Sequence, residues 1–77
     1  MLVTLKQYNR ALYAYEKASS IRPNNFYVLT GKGLALEGVG RYQEALEAFE
    51  AALNINPNYE LAQQQRDLLL EKFKIPI

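Results

Sequence analysis

Apolar residues recur along this chain at every third or fourth place, broken by short polar punctuation. The clearest stretch is Tyr42 to Ile55, where Tyr42, Ala45, Leu46, Phe49, Ala52 and Leu53 fall on one face of an α-helix. Before it, Phe26 to Val39 reads as a second helix, stopped by the triplet Gly38-Val39-Gly40. A helical hairpin of this length cannot cover its own apolar face, so it needs neighbours. One is expected from about Leu2 to Ile21. Another is expected from about Tyr59 to Lys74, with apolar positions Leu61, Ala62, Leu68, Leu69, Leu70 and Phe73. Between them, Arg22-Pro23-Asn24-Asn25 and Asn56-Pro57-Asn58 act as breaks, because proline cannot continue a helix and asparagine caps the next one. Asn24 or Asn25 is the expected cap of the second helix, and Asn58 that of the last.

The same pattern occurs twice. Tyr8, Ala11, Leu12, Tyr15, Ala18, Ile21, Pro23 and Asn24 are matched, all at one constant offset, by Tyr42, Ala45, Leu46, Phe49, Ala52, Ile55, Pro57 and Asn58. A fixed offset with so many matches marks stacked repeats, each a supersecondary unit that buries its face on the next. In this register Lys6 stands where the complete unit has Gly40. Without glycine a left-handed turn there is costly, and the short remnant before it cannot hold as a separate helix. A single continuous first helix is therefore expected.

On these residues the chain resembles the tetratricopeptide repeat family. The pattern runs Leu29, Lys32-Gly33, Leu36, Gly40, Tyr42, Ala45-x3-Phe49, Ala52 and Pro57. Leu29 replaces the usual aromatic, Lys32 the usual leucine and Leu36 the usual tyrosine, while Gly33 and the second-helix positions are intact. Gly33, Ala45 and Ala52 allow helices to approach closely, with Tyr42 and Phe49 filling the space beside them. The resemblance implies an all-α fold of about four helices, a fragment-like piece of a helical-hairpin solenoid forming one domain over 1–77. Its parts would be an incomplete first repeat (1–23), a complete repeat (24–57) and a C-terminal capping helix with a frayed tail (58–77). Asp67 replaces Gly33 in the last helix, where a carboxylate should block another hairpin.

Composition narrows the chemistry. The chain has 77 residues, near the lower limit for a self-sufficient core, and 49% are hydrophobic, ample for a folded helical domain. It contains neither histidine nor cysteine, which removes the commonest general base, the best nucleophile, disulfides and thiolate metal sites. Ser19 and Ser20 thus have no imidazole to activate them. Glu44, Glu47 and Glu50 are paired at helical spacing but lie on the solvent side of their helix. Gly31-Lys32-Gly33 lies inside a helix rather than a phosphate-binding loop. No enzyme activity, cofactor or metal is expected. A formal net charge of +1 gives no basic stripe for nucleic acid, and no apolar run approaches the roughly 18 residues of a membrane span. A cytoplasmic location is the default expectation.

What remains is interaction with protein. The resemblance implies that the first helix of each repeat lines a concave groove that receives partner segments. Its positions here are Tyr27, Thr30, Leu34 and Glu37, and one repeat on, Leu61, Gln64, Leu68 and Glu71. Tyr27, Leu34, Leu61 and Leu68 would form an apolar strip, with the other four setting orientation. Members that clamp a chaperone's C-terminal carboxylate place Lys, Arg and Asn in the groove; Thr30, Leu34, Gln64 and Leu68 cannot do that. The strip's occupant would be an apolar peptide or helical segment of another protein, or the chain's own tail from Phe73 to Ile77 or a capping segment. The alternative is homodimerisation through the first helix, whose face with Leu5, Leu12 and Tyr15 looks incompletely covered, and whose Tyr13 is not required by the repeat pattern.

Overall fold

The computed structural model describes residues 5–73, with side chains from 7 to 72. Four helices follow one another: α1 (Leu5–Ile21), α2 (Phe26–Gly38), α3 (Tyr42–Ile55) and α4 (Glu60–Phe73). Each packs on its neighbour in sequence, and α2 against α3 is the most extensive pairing. α1 runs without a break through Lys6, the position matched by Gly40 one repeat later. The expected residues before Leu5, and the tail after Phe73, lie outside the described residues.

Glycine is indispensable at the end of α2. Gly40 takes φ +89°, a left-handed conformation in which side-chain residues are strained. It lets the chain fold back so that the Arg41 N–H donates to the Leu36 carbonyl at 2.9 Å and the Gly40 N–H to Glu37 at 3.1 Å. Those two bonds satisfy carbonyls that the helix end would leave open. Arg41 then opens α3 and holds the exposed Glu44 through a two-pronged ion pair, one arm of which is 2.8 Å. That hydrogen bond keeps the Glu44 carboxyl below its ordinary range and raises the Arg41 guanidinium.

The two repeat junctions are built alike. After α1, the Arg22 N–H donates to the Ala18 carbonyl and the Asn25 N–H to Arg22. After α3, the Asn56 N–H donates to Ala52 and the Tyr59 N–H to Asn56, the same bonds one repeat on. The caps differ. Asn25 Oδ1 accepts from the N–H groups of Tyr27 (3.0 Å) and Val28 (3.2 Å). Asn58 does not fill that role. α4 begins at Glu60, which puts Tyr59 at the flanking position, where its carbonyl accepts the Gln63 N–H. The register explains this, because the repeat counterpart of Asn25 is Tyr59. The asparagine that works in this turn is Asn56, whose Oδ1 accepts the Asn58 N–H, while the Gln63 side chain bonds the Pro57 carbonyl.

Packing converges on α2, which carries apolar residues on every side, as a helix covered by neighbours should. Leu12, Ala35, Leu36, Ala45, Leu46, Ala48, Phe49 and Leu69 form one buried cluster, with Ala11, Val39, Tyr42 and Leu70 at its margin. Three glycines of α2 face aromatic rings: Gly31 the ring of Tyr15, Gly33 that of Phe49, and Gly38 that of Tyr8. A Cβ on Gly33 would stand 2.5 Å from the fully buried Phe49 ring. Leu12, expected on an open face of the first helix, is instead buried in this cluster, because α1 turns that side onto α2.

Gly33→Ala should therefore destabilise the domain by about 1–3 kcal/mol in urea unfolding, despite alanine's better helix propensity. In a Phe49→Leu background the same change should lose most of that effect. Asn25→Ala should cost about 1 kcal/mol, while Asn58→Ala should stay within about 0.5 kcal/mol of wild type by the same measurement.

Candidate functional site

α2 and α4 occupy equivalent places in successive repeats, and the surface they share is the candidate site. At their N-terminal ends they meet through aromatic rings. Phe26 and Tyr59 lie edge-on with centroids 4.9 Å apart, and Tyr27 sits 5.4 Å from Tyr59 and 4.4 Å from Phe26. Such pairs add to the burial of their own area. Tyr27 remains 63% exposed within this cluster, so part of its ring is offered to solvent.

Beyond it come Leu34, two turns along α2, and Leu61 and Leu68 on α4. All three are exposed, Leu68 to 58%. Tyr27, Leu34, Leu61 and Leu68 are the exposed large apolar residues of α2 and α4 among the described residues; Ile21 and Ile55, at the ends of α1 and α3, are exposed as well. Thr30, expected among the orienting groups, is not on this surface. It is only 1% exposed, and its hydroxyl donates to the Phe26 carbonyl at 2.8 Å. A threonine inside a helix can satisfy its hydroxyl on the preceding turn, and here burial on the way to the core leaves it no other choice.

Towards the C-terminal ends of both helices the site changes character. A cavity of about 500 Å³ is lined by Tyr8, Leu34, Glu37, Gly38, Tyr42, Gln65 and Lys72. Glu37 is half-buried, and its Oε1 is fully buried with no hydrogen-bond partner. Leu34 and Glu37 are thus brought together as the sequence indicates. From α4, however, it is Gln65 and Lys72 that join them. Gln64 and Glu71 are exposed and do not line the cavity. The signal for the missed pair lay in the repeat register. Tyr8 packs on Gly38, and one repeat later Tyr42 and Lys72 stand at the corresponding positions and line the same cavity, with a long polar side chain in place of glycine.

A smaller cleft of about 230 Å³ lies between α1, α2 and α3, lined by Glu16, Leu29, Lys32, Leu36, Arg41, Glu44, Glu47, Ala48 and Ala51. Its carboxylates are exposed, as is Glu50, and Glu44 is engaged by Arg41. No protected acid–base pair is assembled there. Among the described residues no group of His, Cys, Asp or Glu is placed to hold a metal ion, and no helix is long and apolar enough to cross a membrane. Of the residues considered for self-association, Tyr13 is 68% exposed, Tyr15 is partly covered against Gly31, and the Leu5 side chain lies outside the described residues.

Helices paired in sequence, junctions repeated bond for bond and rings set on glycines define a stacked helical-hairpin repeat protein. The tetratricopeptide repeat family matches residues 26–59 and, in a second variant, residues 1–25, and the chain belongs to that family. The boundary between the two matches falls at the Asn25 cap. Tetratricopeptide repeats generally mediate protein–protein interaction. No curated protein and no solved structure matches the chain.

A double-mutant cycle on Phe26→Leu and Tyr59→Leu should return a coupling of about 0.5–1.5 kcal/mol in urea unfolding. Additive effects would mean the two rings do not tie α2 to α4.

Proposed function

We propose that this domain is a non-catalytic interaction module that holds an apolar segment of a partner protein in the groove between α2 and α4. Tyr27, Leu34, Leu61 and Leu68 provide the contact area. Glu37 sets orientation from inside the groove, with Gln64 and Glu71 at its outer edge. The observation that carries this reading is the exposure of all four apolar residues on two register-matched helices. Burying a leucine and a tyrosine side chain on each other contributes favourably in proportion to area, at about 25 cal/mol per Å². Such a strip suits a helical or extended apolar segment equally.

Homodimerisation through α1 is the competing reading. Its residue Leu12 is buried within the chain's own core, while Tyr13 and the margin of Tyr15 are exposed.

The test is a selection from a displayed library of random twelve-residue peptides, run on wild type and on Leu34→Glu, with circular dichroism to check that both are folded. Wild type should enrich peptides carrying apolar residues, and Leu34→Glu should lose at least tenfold of their binding. Its molar mass by light scattering, at two concentrations, should equal that of wild type. If Leu34→Glu binds the same peptides, or acts only by dissociating a homodimer, the groove reading is wrong.

A further inference from the structure

The groove's deep end holds a carboxylate whose buried oxygen has no donor. Glu37 Oε1 is sealed from solvent, accepts no hydrogen bond, and borders a cavity of about 500 Å³. Glu37 as a residue is half-buried, but a carboxylate oxygen shielded from water with no donor carries a desolvation cost that a partner's donor would offset. We propose that this cavity takes a lysine or arginine side chain of the partner segment held in the groove, its cationic head donating to Glu37. The inference rests on the groove reading and adds to it a required residue of the partner.

Three features favour a cation over a neutral donor. The site's unmet acceptor is a carboxylate, and charge-assisted bonds are shorter and stronger than neutral ones. The approach passes Leu34 and the ring of Tyr42, which suit the methylene stem of a long cationic side chain. At about 500 Å³ the cavity is also far larger than the roughly 10–15 Å³ that one water needs on the same measure, so a side chain has room to enter. Lys72 stands on the opposite wall, on an exposed stretch of α4, and its ammonium does not bond Glu37 Oε1.

The spacing is fixed by α2. Glu37 lies ten residues beyond Tyr27, which is about 15 Å along a helix rising 1.5 Å per residue. An extended segment covers that distance in about five residues at roughly 3.3 Å each, and a helical one in about ten. The basic residue should therefore stand at a constant separation from the apolar residue that rests on Tyr27.

The same peptide selection tests this, run on wild type and Glu37→Gln, which keeps the shape and removes the charge. Wild type should enrich Lys or Arg at one fixed offset from the apolar positions. Glu37→Gln should lose that enrichment, keep the apolar pattern, and bind the wild-type peptides about ten- to a hundredfold more weakly. Apolar peptides with no basic preference, or an equal preference in Glu37→Gln, would overturn the cation pocket while leaving the groove standing. Enrichment of Asp or Glu, lost in Lys72→Met, would overturn it in favour of Lys72 as the reader. A selection that yields no apolar peptides would sink the groove reading itself. The pocket is then judged by an NMR titration with n-butylammonium against 1-butanol. Saturable shifts of the Glu37 and Leu34 amides with the cation alone, absent in Glu37→Gln, support it; equal responses to both probes refute it.

Discussion

The structure depends on aromatic rings seated where α2 has no side chain. Phe49 from α3 covers Gly33, while Tyr15 and Tyr8 from α1 cover Gly31 and Gly38. Glycine inside a helix costs about 1 kcal/mol relative to alanine, so three in thirteen residues would weaken α2 in isolation. The rings offset that loss by bringing large apolar surfaces against bare backbone from two sides. α2 thus draws its stability from the neighbours packed on it from both sides, α1 and α3. α4 shows the reverse. At the stations of Gly31, Gly33 and Gly38 it carries Gln65, Asp67 and Lys72, with Asp67 exposed and paired to Arg66 at 3.1 Å. At these positions α4 presents side chains where α2 presents bare backbone.

Much of this was legible in the sequence because the repeat states each rule twice. The four helices, the break at Gly40 and the two proline junctions all follow from local chemistry that does not depend on distant contacts. The repeat register also assigns the core correctly, as Ala45, Leu46, Phe49 and Ala52 are buried. Periodicity alone misleads where it has to decide which way a residue faces. Leu12 belongs to an open face only if its helix lacks a partner, and α2 covers it. Thr30 falls at a groove position by counting, but the helix places it just below the surface, where its hydroxyl turns back on the backbone. Asn58 has the chemistry of a cap without the position, because the helix starts one residue later than its composition suggests.

The candidate site was half legible for a related reason. Counting along α2 locates Tyr27, Leu34 and Glu37, since a helix surface repeats predictably. What faces Glu37 from α4 depends on the crossing of two helices, which no single-helix count contains. Gln65 and Lys72 enter the cavity because α4 lies beside α3 as α2 lies beside α1, with polar side chains where α2 has glycines. The side chains that stand in place of the α2 glycines, Gln65 and Lys72, thus build the polar end of the groove. Stability of the repeat and chemistry of the surface are two consequences of the same positions.

The most direct test of the account is to look for the rings on the glycines in solution. A nuclear Overhauser spectrum of the labelled protein should connect the Gly33 Hα protons with the Phe49 ring, Gly31 with Tyr15, and Gly38 with Tyr8. The same glycine protons should be shifted upfield by ring current. Glycine Hα protons at ordinary helical shifts, with no cross-peaks to those three rings, would mean that α2 is held by something other than the contacts on which this description rests.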